Sequence, residues 1–419
     1  MVPFPGRSLA RALCATLATC TAACSLLDPH NLVGRQMGEA KLPPAEVVPP
    51  LGEQAMDVAA RERAFAFVWS TIRDRYYDAA LNGADWTAIG HRYRDVALTA
   101  RDDEALWDVL DRMAGELHDS HTRVESPARV ELRRRDESIT LGFAFVAREG
   151  KLAITVVNPE SDAWWAGVRP GMAIVSIAGE PAAAAYERLK ADTRHDSTER
   201  SRHARAVRRL VTGKLGSTLA FTFERPDATR FDTVLSRCNV TTRPTAFNRV
   251  LPSGFGYLRL TQWQLAVMPR ALSGLAELKD TPGLVIDLRG NPGGSMYAVN
   301  QMLDRFFTER VELGRSITRT GKPVSLLFGV IEIIKLKAVV EGNKDAYSKP
   351  VVILVNAGSA SGSELFAGAM QAAGRAQVVG EPSCGCLLAF LGYARIPGGG
   401  ELAYSEVGFV MGKDRKSVV

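Results

Sequence analysis

The sequence predicts a multidomain α+β protein, and three observations support this prediction. Between residues 56 and 128, apolar side chains recur at helical spacing, which predicts an N-terminal helical domain. Residues 135–227 are short alternating segments separated by glycine, proline and asparagine, which predict a β-rich domain. Residues 240–413 alternate apolar strands with helices, as α/β layered domains do. A chain of 419 residues has room for two or three such domains.

Several helices can be predicted inside these domains. Asp85–Val96 is expected to be helical, and a further helix is expected to begin at Asp103, because aspartate is a preferred N-cap. The basic segment Arg202–Leu210 is predicted to be a surface helix. Asn300–Phe307 and Ser363–Ala373 are the helices predicted for the α/β domain.

Residues 1–24 have the pattern of an export signal. Arg7 and Arg11 precede an apolar stretch of small residues that ends in Cys24. This pattern is typical of a secretory signal and is too short for a good membrane span. The ending TAAC resembles a lipoprotein cleavage box with Cys24 as the lipidated residue, and simple cleavage or retention as an anchor is the alternative. We expect export to the periplasm or cell surface of a bacterium, with membrane attachment if Cys24 carries lipid.

The segment after the export signal is predicted to be a linker. Residues 25–55 contain two Pro-Pro pairs, which favour an extended chain between the signal and the folded body. The net charge is +6, and Arg133–Arg135 is expected to be a solvated loop, so no nucleic-acid partner is predicted.

The cysteines predict no metal site. No array of cysteine and histidine has zinc-binding spacing, so we expect no metal or other cofactor. Cys384 and Cys386 flank one glycine, and a disulfide across so short a loop would be strained. The spacing therefore favours two small buried thiols.

The stretch NAGSASGSELFAGAM follows an apolar strand and leads into a helix. It holds Ser359, Ser361 and Ser363. Ser361 falls at the turn, where its hydroxyl could be exposed beside the free N–H of Gly362 and the positive end of the helix dipole. The alternative is that all three serines cap the helix and fill the turn, and this segment alone favours that alternative.

A second turn, in GLVIDLRGNPGGS, contains Gly290, Gly293 and Gly294. Such glycines free backbone N–H groups to approach a ligand, so the turn could supply a second oxyanion donor. It lacks the spacing of a phosphate-binding loop. A simple tight turn is the open alternative.

A catalytic serine needs a base, and the histidines offer few candidates. His118 and His121 lie in the segment HDSHT at the end of the helical domain. The others lie before the proline-rich stretch, inside a helix or in polar sequence: His30, His91, His195 and His203. His121 and His118 are therefore the best available bases.

Together these segments resemble the C-terminal processing (tail-specific) serine proteases and their tricorn-type relatives. DLRGNPGG and NAGSASGSELFAGAMQAAGRAQVVGEP carry the resemblance to a protease core built of crotonase/Clp-like ββα units. TLGF and VNPESDAWWAGVRPGMAIVSIAGEP resemble a PDZ domain, with Met172 where that pattern usually has aspartate. The PDZ resemblance implies that backbone N–H groups near Leu141, Gly142 and Phe143 hold the C-terminal carboxylate of a polypeptide substrate.

The resemblance also assigns the serines. It implies that Ser361 is the nucleophile, and that Ser359 and Ser363 are turn and cap residues. The N–H of Gly362 and the Gly293–Gly294 turn would form the oxyanion hole.

The family divides by its base. One branch uses a lysine downstream of the serine, and Cys386 occupies that position here, so a Ser/Lys dyad is not supported. The tricorn-like branch uses a histidine in a block like D-S-H-T, which matches residues 119–122. That match implies His121 as the base and Ser120 as a residue that orients a partner, and it leaves His118 without a catalytic role.

The tricorn-like site is completed by a glutamate in a block that follows the strand resembling ELAYSEVGFV. This sequence stops at GKDRKSVV, where that block should begin. Glu401 and Glu406 are in the wrong block and are not assigned. We therefore expect a C-terminally truncated fragment in which residues 414–419 are not native, the core is incomplete and activity can be lost.

The function implied is that of an exported serine endopeptidase that acts on polypeptides captured by their C-termini and needs no cofactor. One alternative is a catalytically inactive protein that binds peptides or other ligands on the same fold. A crotonase-type acyl-transfer enzyme is the other alternative. Export and a PDZ domain argue against it, because coenzyme A is cytosolic.

Overall fold

A computed structural model describes Asp28, Leu32, Arg35 and residues 55–135, 137–148, 150–191, 198–241 and 244–411. The expected signal peptide, Cys24, nearly all of the linker and the 414–419 tail lie outside the described residues. None of the described helices combines the length and the apolarity that a membrane span requires.

The N-terminal unit is helical, as its periodicity predicts. Its elements are α1 (Val58–Arg75), a 3-10 turn (Leu81–Gly83), α2 (Trp86–Leu98) and α3 (Asp103–Gly115). Asp85 caps α2 by accepting the N–H of Ala88 at 3.0 Å. The expected cap of α3 was off by one residue, because Asp102 and not Asp103 accepts the N–H of Ala105, at 2.7 Å.

The helical unit shares its core with the far end of the chain. Buried residues of α1–α3 form one apolar cluster with Ile396, Leu402 and Tyr404. Strand β1 (Arg123–Glu125) also pairs antiparallel with a late strand, Glu401–Ala403, which itself pairs with Ala394–Arg395. The apolar core of the helical unit therefore includes residues far beyond the expected boundary at residue 128.

The expectation that Arg133–Arg135 form a solvated loop is wrong, because Arg133 and Arg134 lie in a helix. Helix α4 (Pro127–Arg134) contains Arg133 and Arg134, and both form ion pairs with the buried carboxylate of Glu401. Arg133 also pairs with Glu125 at 2.7 Å. These contacts fix the helical unit to the C-terminal part of the chain.

A middle unit follows, and its strands are β2 (Glu137–Thr140), β3 (Phe143–Arg148), β4 (Lys151–Val157), β5 (Ala173–Ile177), β6 (Glu180–Pro181), β7 (Thr218–Glu224), β8 (Arg230–Ser236) and β9 (Cys238–Thr241). The main sheet has the order β3-β4-β5-β7-β8, with β6 on β5, and β2 pairs with β9. The expected end at residue 227 is wrong, because β8 pairs with β7 along its whole length. Strand β3 is an edge strand of this sheet.

The helices of the middle unit are α5 (Asp162–Trp165), α6 (Ala182–Ala191) and α7 (Glu199–Val211). The segment predicted as a surface helix lies in α7, but one face of α7 is buried. Ala206, Leu210 and Val211 belong to the apolar core of the unit.

The C-terminal core is built on a five-stranded sheet. Its strands in spatial order are β10 (Ala246–Val250), β11 (Gly256–Leu260), β12 (Leu284–Asp287), β17 (Val351–Val355) and β18 (Gln377–Gly380). Only β10 runs antiparallel to its neighbour, and the other pairs are parallel. The helices of this core are α8 (Met268–Glu277), α9 (Met296–Leu303) and α10 (Gly362–Ala372). Both α9 and α10 begin within a few residues of their predicted starts.

A second sheet packs beside the first. It contains β16 (Lys337–Val340), β13 (Val311–Thr318), β22 (Val407–Met411) and β19 (Leu388–Ala389), in that order. Smaller elements are β14 (Val324–Leu326), a 3-10 turn (Leu327–Gly329), β15 (Ile331–Ile334), β20 (Ala394–Arg395) and β21 (Glu401–Ala403). Since β12 and β17 are parallel neighbours, the turns after them meet at one edge of the main sheet.

Candidate active site

Two of the three serines hold these turns together. The Ser359 hydroxyl donates to the carbonyl of Leu288 at 2.8 Å. The Ser363 hydroxyl donates to the carbonyl of Asn291 at 3.0 Å and accepts the indole N–H of Trp263 at 3.0 Å. Both serines are fully buried. Each hydroxyl is therefore occupied by a bond between the turn after β17 and the turn after β12.

Ser361 differs from both neighbours. It is partly exposed and occupies the N-cap position of α10, at φ 52° and ψ −111°. A positive φ is uncommon for a residue with a side chain and persists only where the surroundings enforce it. Here the N–H of Ser361 donates to the carboxylate of Glu364 at 2.8 Å. The turn therefore presents one serine at the positive end of a helix dipole.

Glycine is required opposite this serine. Gly293 has φ +95°, and a Cβ there would lie 2.7 Å from both the Ala360 carbonyl oxygen and the Gly362 nitrogen. It would also lie 2.8 Å from the Cβ of Ser361. At Gly294, a Cβ would lie 2.1 Å from the carbonyl oxygen of Trp263, in the segment after β11. The turn after β12 therefore has no space for a side chain at Gly293, where it meets the nucleophile turn, or at Gly294, where it meets Trp263.

The backbone donors near Ser361 differ from the expected set at one position. The N–H of Gly293 donates to the side-chain oxygen of Asn291 at 2.9 Å, so it is not available to an oxyanion, contrary to expectation. Among residues 244–411, no acceptor takes the N–H of Gly294 or Gly362. A Cβ on Gly362 would lie 3.4 Å from the Gly294 nitrogen, so the two groups are close together.

Glu364 links Ser361 to a second loop. One carboxylate oxygen accepts from the hydroxyl of Ser383 at 2.7 Å and the N–H of Gly385 at 2.6 Å. The other accepts from the N–H of Ser361 at 2.8 Å and the N–H of Cys386 at 3.2 Å. This role of Glu364 was not predicted from the sequence. The S-x-x-E spacing from Ser361 is the capping-box signal that could have found the first of these bonds.

The expectation of two free thiols is wrong, because Cys384 and Cys386 in this second loop form a disulfide. Cys384, Cys386 and Glu364 are the one trio within the described ranges whose donor atoms lie within 4.8 Å of one another, as metal ligands would. Both sulfurs are engaged in the disulfide and both carboxylate oxygens already accept hydrogen bonds. The trio therefore does not fit a metal ion in this state.

His121 lies in the turn between α3 and β1, together with Ser120. Its backbone N–H donates to Asp119 at 2.8 Å, and its ring Nδ1 is buried without a partner. Over the described ranges, no hydrogen bond joins its ring to Ser361. Burial lowers the pKa of the His121 imidazole, the Asp119 carboxylate opposes this, and the positive charge of Arg123 adds to it. The ring is therefore held neutral.

Asp119 fixes this turn against the C-terminal part of the chain. Its second carboxylate oxygen accepts from the hydroxyls of Thr122 and Ser405, the latter at 2.6 Å. The N–H of Ser405 in turn donates to the Thr122 hydroxyl at 3.2 Å. His118, in the same segment, adopts φ 51°. The contact with Ser405 joins residues far apart in sequence, and nothing in the sequence pattern indicated it.

Two family models match the chain. The model of peptidase family S41 matches residues 254–410, and the model of the Tricorn protease C1 domain matches residues 57–115. Carboxy-terminal processing protease CtpB of Bacillus subtilis is 30% identical over 250 residues, which are 58% of this chain and 46% of that protein. The carboxyl-terminal-processing protease of Picosynechococcus is 28% identical over 346 residues, 77% of this chain and 75% of that protein. The chain therefore contains a peptidase family S41 domain at residues 254–410.

A solved structure shares the fold of this chain. The photosystem II D1 C-terminal processing protease aligns with a TM-score of 0.53 at 22% identity, over 84% of this chain and 88% of that one. The carboxyl-terminal processing proteases of family S41 are serine peptidases, which are hydrolases. The S41 match includes Ser361 and both glycine turns, whereas His121 lies outside both matched segments.

In the loop expected to hold a carboxylate, two backbone N–H groups already donate hydrogen bonds within the protein. The N–H of Leu141 donates to the carbonyl of Val211 at 2.9 Å, and the N–H of Gly142 donates to the hydroxyl of Thr140 at 3.1 Å. Leu141, Gly142 and Phe143 are all buried. The N–H groups of Leu141 and Gly142 therefore already have acceptors in this structure, and the binding of a carboxylate near Leu141, Gly142 and Phe143 stays a prediction.

Helix α7 also covers the edge of β3. The ring of His203 lies with Nε2 3.2 Å from the carbonyl of Phe145 and Nδ1 2.7 Å from the hydroxyl of Tyr186. Burial lowers the pKa of His203, and the Phe145 carbonyl opposes this. His203 was expected in surface-like sequence, and it instead lies on the face of α7 that contacts β3 and α6.

A cavity of about 600 Å³ opens where the middle unit meets the S41 core. Its lining includes the end of β3, the start of α7 and two core residues, Ala357 and Glu381. Ala357 belongs to the segment between β17 and α10 that carries Ser361. The cavity therefore connects the edge of β3 with the region of the nucleophile turn.

Two late carboxylates have structural partners. Glu401 pairs with Arg133 and Arg134, and Glu406 pairs with Arg35 at 2.7 Å. Both side chains are buried. Neither was assigned to the site from the sequence, and their ion pairs agree with leaving them out.

Proposed function

We propose that this protein is an exported serine endopeptidase in which Ser361 is the nucleophile and His121 is the general base. The observation that carries the proposal is the turn at Ser361. One partly exposed serine, held at positive φ, stands beside the N–H groups of Gly362 and Gly294, for which the described residues provide no acceptor. Two neighbouring serines of the same turn are buried and hydrogen-bonded, which leaves Ser361 as the one suited to attack.

The chemistry would proceed by acyl transfer. The Ser361 hydroxyl oxygen attacks the peptide carbonyl carbon, and the imidazole of His121 takes the proton. The N–H groups of Gly362 and Gly294 hold the oxyanion, and each such donor is worth about 3–4 kcal/mol. The imidazolium then protonates the leaving amine, and water hydrolyses the acyl-enzyme. A lowered pKa keeps His121 neutral and able to accept.

This mechanism requires a movement. Ser361 and His121 form no hydrogen bond in the part of the chain described here, and proton transfer needs heavy atoms within about 3.2 Å. We infer that substrate binding brings the two side chains together. Ser120, in the same turn as His121, would orient a partner in that arrangement.

The substrate would be a polypeptide bound through a PDZ-like middle unit. Its edge strand β3 would accept an added strand once α7 withdraws from it, and the cavity beyond it leads toward the segment with Ala357. Both relatives described above are named for C-terminal processing, which favours capture of C-termini. Binding a carboxylate at Leu141, Gly142 and Phe143 would require the Val211 carbonyl and α7 to withdraw. Export, with lipidation of Cys24, would place the enzyme in the periplasm or at the cell surface.

A second function is favoured by the absence of a Ser361–His121 hydrogen bond within the described ranges and by Cys386 in the lysine position. Under this alternative the chain binds peptides on the same fold without cleaving them. No observation favours the crotonase-type alternative.

Labelling with a fluorophosphonate probe distinguishes these functions. We expect labelling of the native chain, its loss in Ser361→Ala, and a decrease of at least about 100-fold in His121→Ala. Matched controls are Ser273→Ala and His91→Ala, which remove exposed side chains on α8 and α2 and should label normally. Tight peptide binding without labelling would support the binding protein instead. Equal labelling of native chain and Ser361→Ala would refute the assignment of the nucleophile.

A further inference from the structure

The Cys384–Cys386 disulfide lies directly beneath the nucleophile turn. Both cysteines are nearly buried, at 6% and 7% exposure. The N–H of Cys384 donates to the carbonyl of Ser359 at 3.0 Å, which ties the start of the loop to the turn that carries Ser361. The loop therefore touches the candidate active site through its backbone.

The same loop donates hydrogen bonds to the carboxylate of Glu364, which also accepts the N–H of Ser361. The N–H groups of Gly385 and Cys386 donate to opposite oxygens of Glu364, at 2.6 and 3.2 Å. Glu364 accepts the N–H of Ser361 at 2.8 Å. Any shift of Gly385 and Cys386 is therefore transmitted through one side chain to the backbone of Ser361.

The opposite face of the loop is also enclosed. The Thr198 hydroxyl donates to the carbonyl of Cys384 at 2.6 Å, and the Arg200 guanidinium donates to the carbonyl of Ser383. A Cβ on Gly385 would lie 2.9 Å from the Thr198 methyl group. The loop is thus packed between the start of α7 and Glu364, with little space to expand.

Breaking the disulfide would force such an expansion. Two bonded sulfurs are about 2.05 Å apart, whereas non-bonded atoms of this size rest roughly 3.5–4.0 Å apart. A close-packed environment cannot absorb this change without moving its neighbours. The nearest groups to move are the two N–H donors of the loop, so reduction should disturb Glu364 and then Ser361.

We propose that Cys384–Cys386 is a reversible redox modification site whose substrate is a dithiol reductant, and that its reduction lowers the reactivity of Ser361. A thiolate of the dithiol attacks one sulfur, the S–S bond breaks, and a mixed disulfide forms. The second thiolate of the reductant resolves it, so the reductant becomes a disulfide and the chain gains two thiols, each taking one proton. An oxidising exported compartment would keep the bond closed. The effect on reactivity rests on the proposed role of Ser361.

The pair can be assayed directly in the full chain. Trypsin cleavage after Arg375 and Arg395 yields one peptide that contains Cys384 and Cys386 and no other cysteine. After purification in oxidising buffer, we expect this peptide to resist alkylation until a dithiol is added, and then to take two alkyl groups. Amide exchange in residues 359–364 and 383–388 should rise on reduction. Fluorophosphonate labelling should slow by at least about tenfold, less than the roughly 100-fold loss for a deleted oxyanion donor.

Variants separate this site from the other cysteines. A Cys384→Ser/Cys386→Ser double variant should match the reduced native chain and should not respond to dithiol. Cys238→Ser, which removes the one free cysteine among the described residues, should keep the native response. Two free thiols in the oxidised protein would overturn the proposal, as would full reduction without change in amide exchange. If exchange responds but no state is labelled, the redox coupling holds and the proposed nucleophile fails.

Discussion

Ser361 is held in an uncommon conformation by a single carboxylate. A residue with a side chain at such φ and ψ costs about 1–3 kcal/mol, and Glu364 offsets this by accepting the N–H of Ser361 and three donors from the Ser383–Cys386 loop. All four partners donate, so the residue must be an acceptor on both oxygens.

Replacing this carboxylate by an amide tests its role. In Glu364→Gln, the NH₂ group faces donors, and a buried group is left unsatisfied at a cost of about 1–3 kcal/mol. We expect a matching loss in the free energy of unfolding and slower labelling of Ser361. Glu277→Gln, on the exposed face of α8, is the control and should change neither. Native labelling and stability in Glu364→Gln would show that Glu364 does not fix Ser361.

A pH profile tests the base. Burial lowers the pKa of His121 from the ordinary 6.5. The proposed base therefore becomes active as pH rises through a value below 6.5, and labelling should reach its plateau before an ordinary histidine would. A midpoint at or above 6.5 would contradict the neutral buried ring.

The same shift affects stability. Because the folded pKa lies below the unfolded value, the unfolded chain binds the extra proton first as pH falls below 6.5. The contribution of His121 is therefore complete above this pH and decreases below it. Denaturant unfolding on both sides of this pH, for the native chain and for His121→Gln, isolates this contribution. The decrease in the free energy of unfolding on going below this pH should be smaller in the variant.

At the scale of elements, the two turns after β12 and β17 form the site by close approach. Gly293→Ala should damage it, since the new Cβ would lie 2.7 Å from the Gly362 nitrogen and the Ala360 oxygen. We expect a stability loss of about 1–3 kcal/mol for overpacking and strongly reduced labelling. Gly290→Ala is a matched control, because Gly290 has φ +72° but no atom within 4 Å of a Cβ. It should cost only about 1 kcal/mol of left-handed strain and keep labelling. Equal effects of the two variants would argue against close approach as the cause.

Local sequence pattern predicts elements better than it predicts their partners. The strands and helix around Ser361 follow from apolar runs and turn glycines, which act over a few residues. Strand β8 was missed because Arg230–Ser236 carries polar residues on its exposed face. The buried face of α7 was missed because its partner is the sheet of the middle unit, which periodicity does not identify. The Cys384–Cys386 bond was rejected on spacing, although the surrounding loop accommodates it.

For the whole molecule, the sequence predicted three units in order along the chain. It did not predict the contacts between the N-terminal helices and the C-terminal segment. His121 reaches the S41 core through Asp119 and Ser405, and Arg133 through Glu401. Such contacts depend on tertiary packing between segments that are far apart in sequence, and a single sequence carries no local signal for them. In the same way, residues after 394 pack into the apolar core of the N-terminal helices.

This shared core makes a prediction for cooperativity. Leu402 is fully buried in the apolar cluster formed by α1–α3. Leu402→Ala should lower the free energy of unfolding by about 2–5 kcal/mol, because it leaves a cavity. It should also raise amide exchange across α1, α2 and α3, far away in sequence, since these helices lose packing on one face. Val96→Ala, on the exposed side of α2, should stay within about 0.5 kcal/mol. Exchange that rises only near residue 402 would mean that the helices fold without the C-terminal strands. Exchange that rises in both places would mean that helices α1–α3 are stable only when the C-terminal strands pack against them.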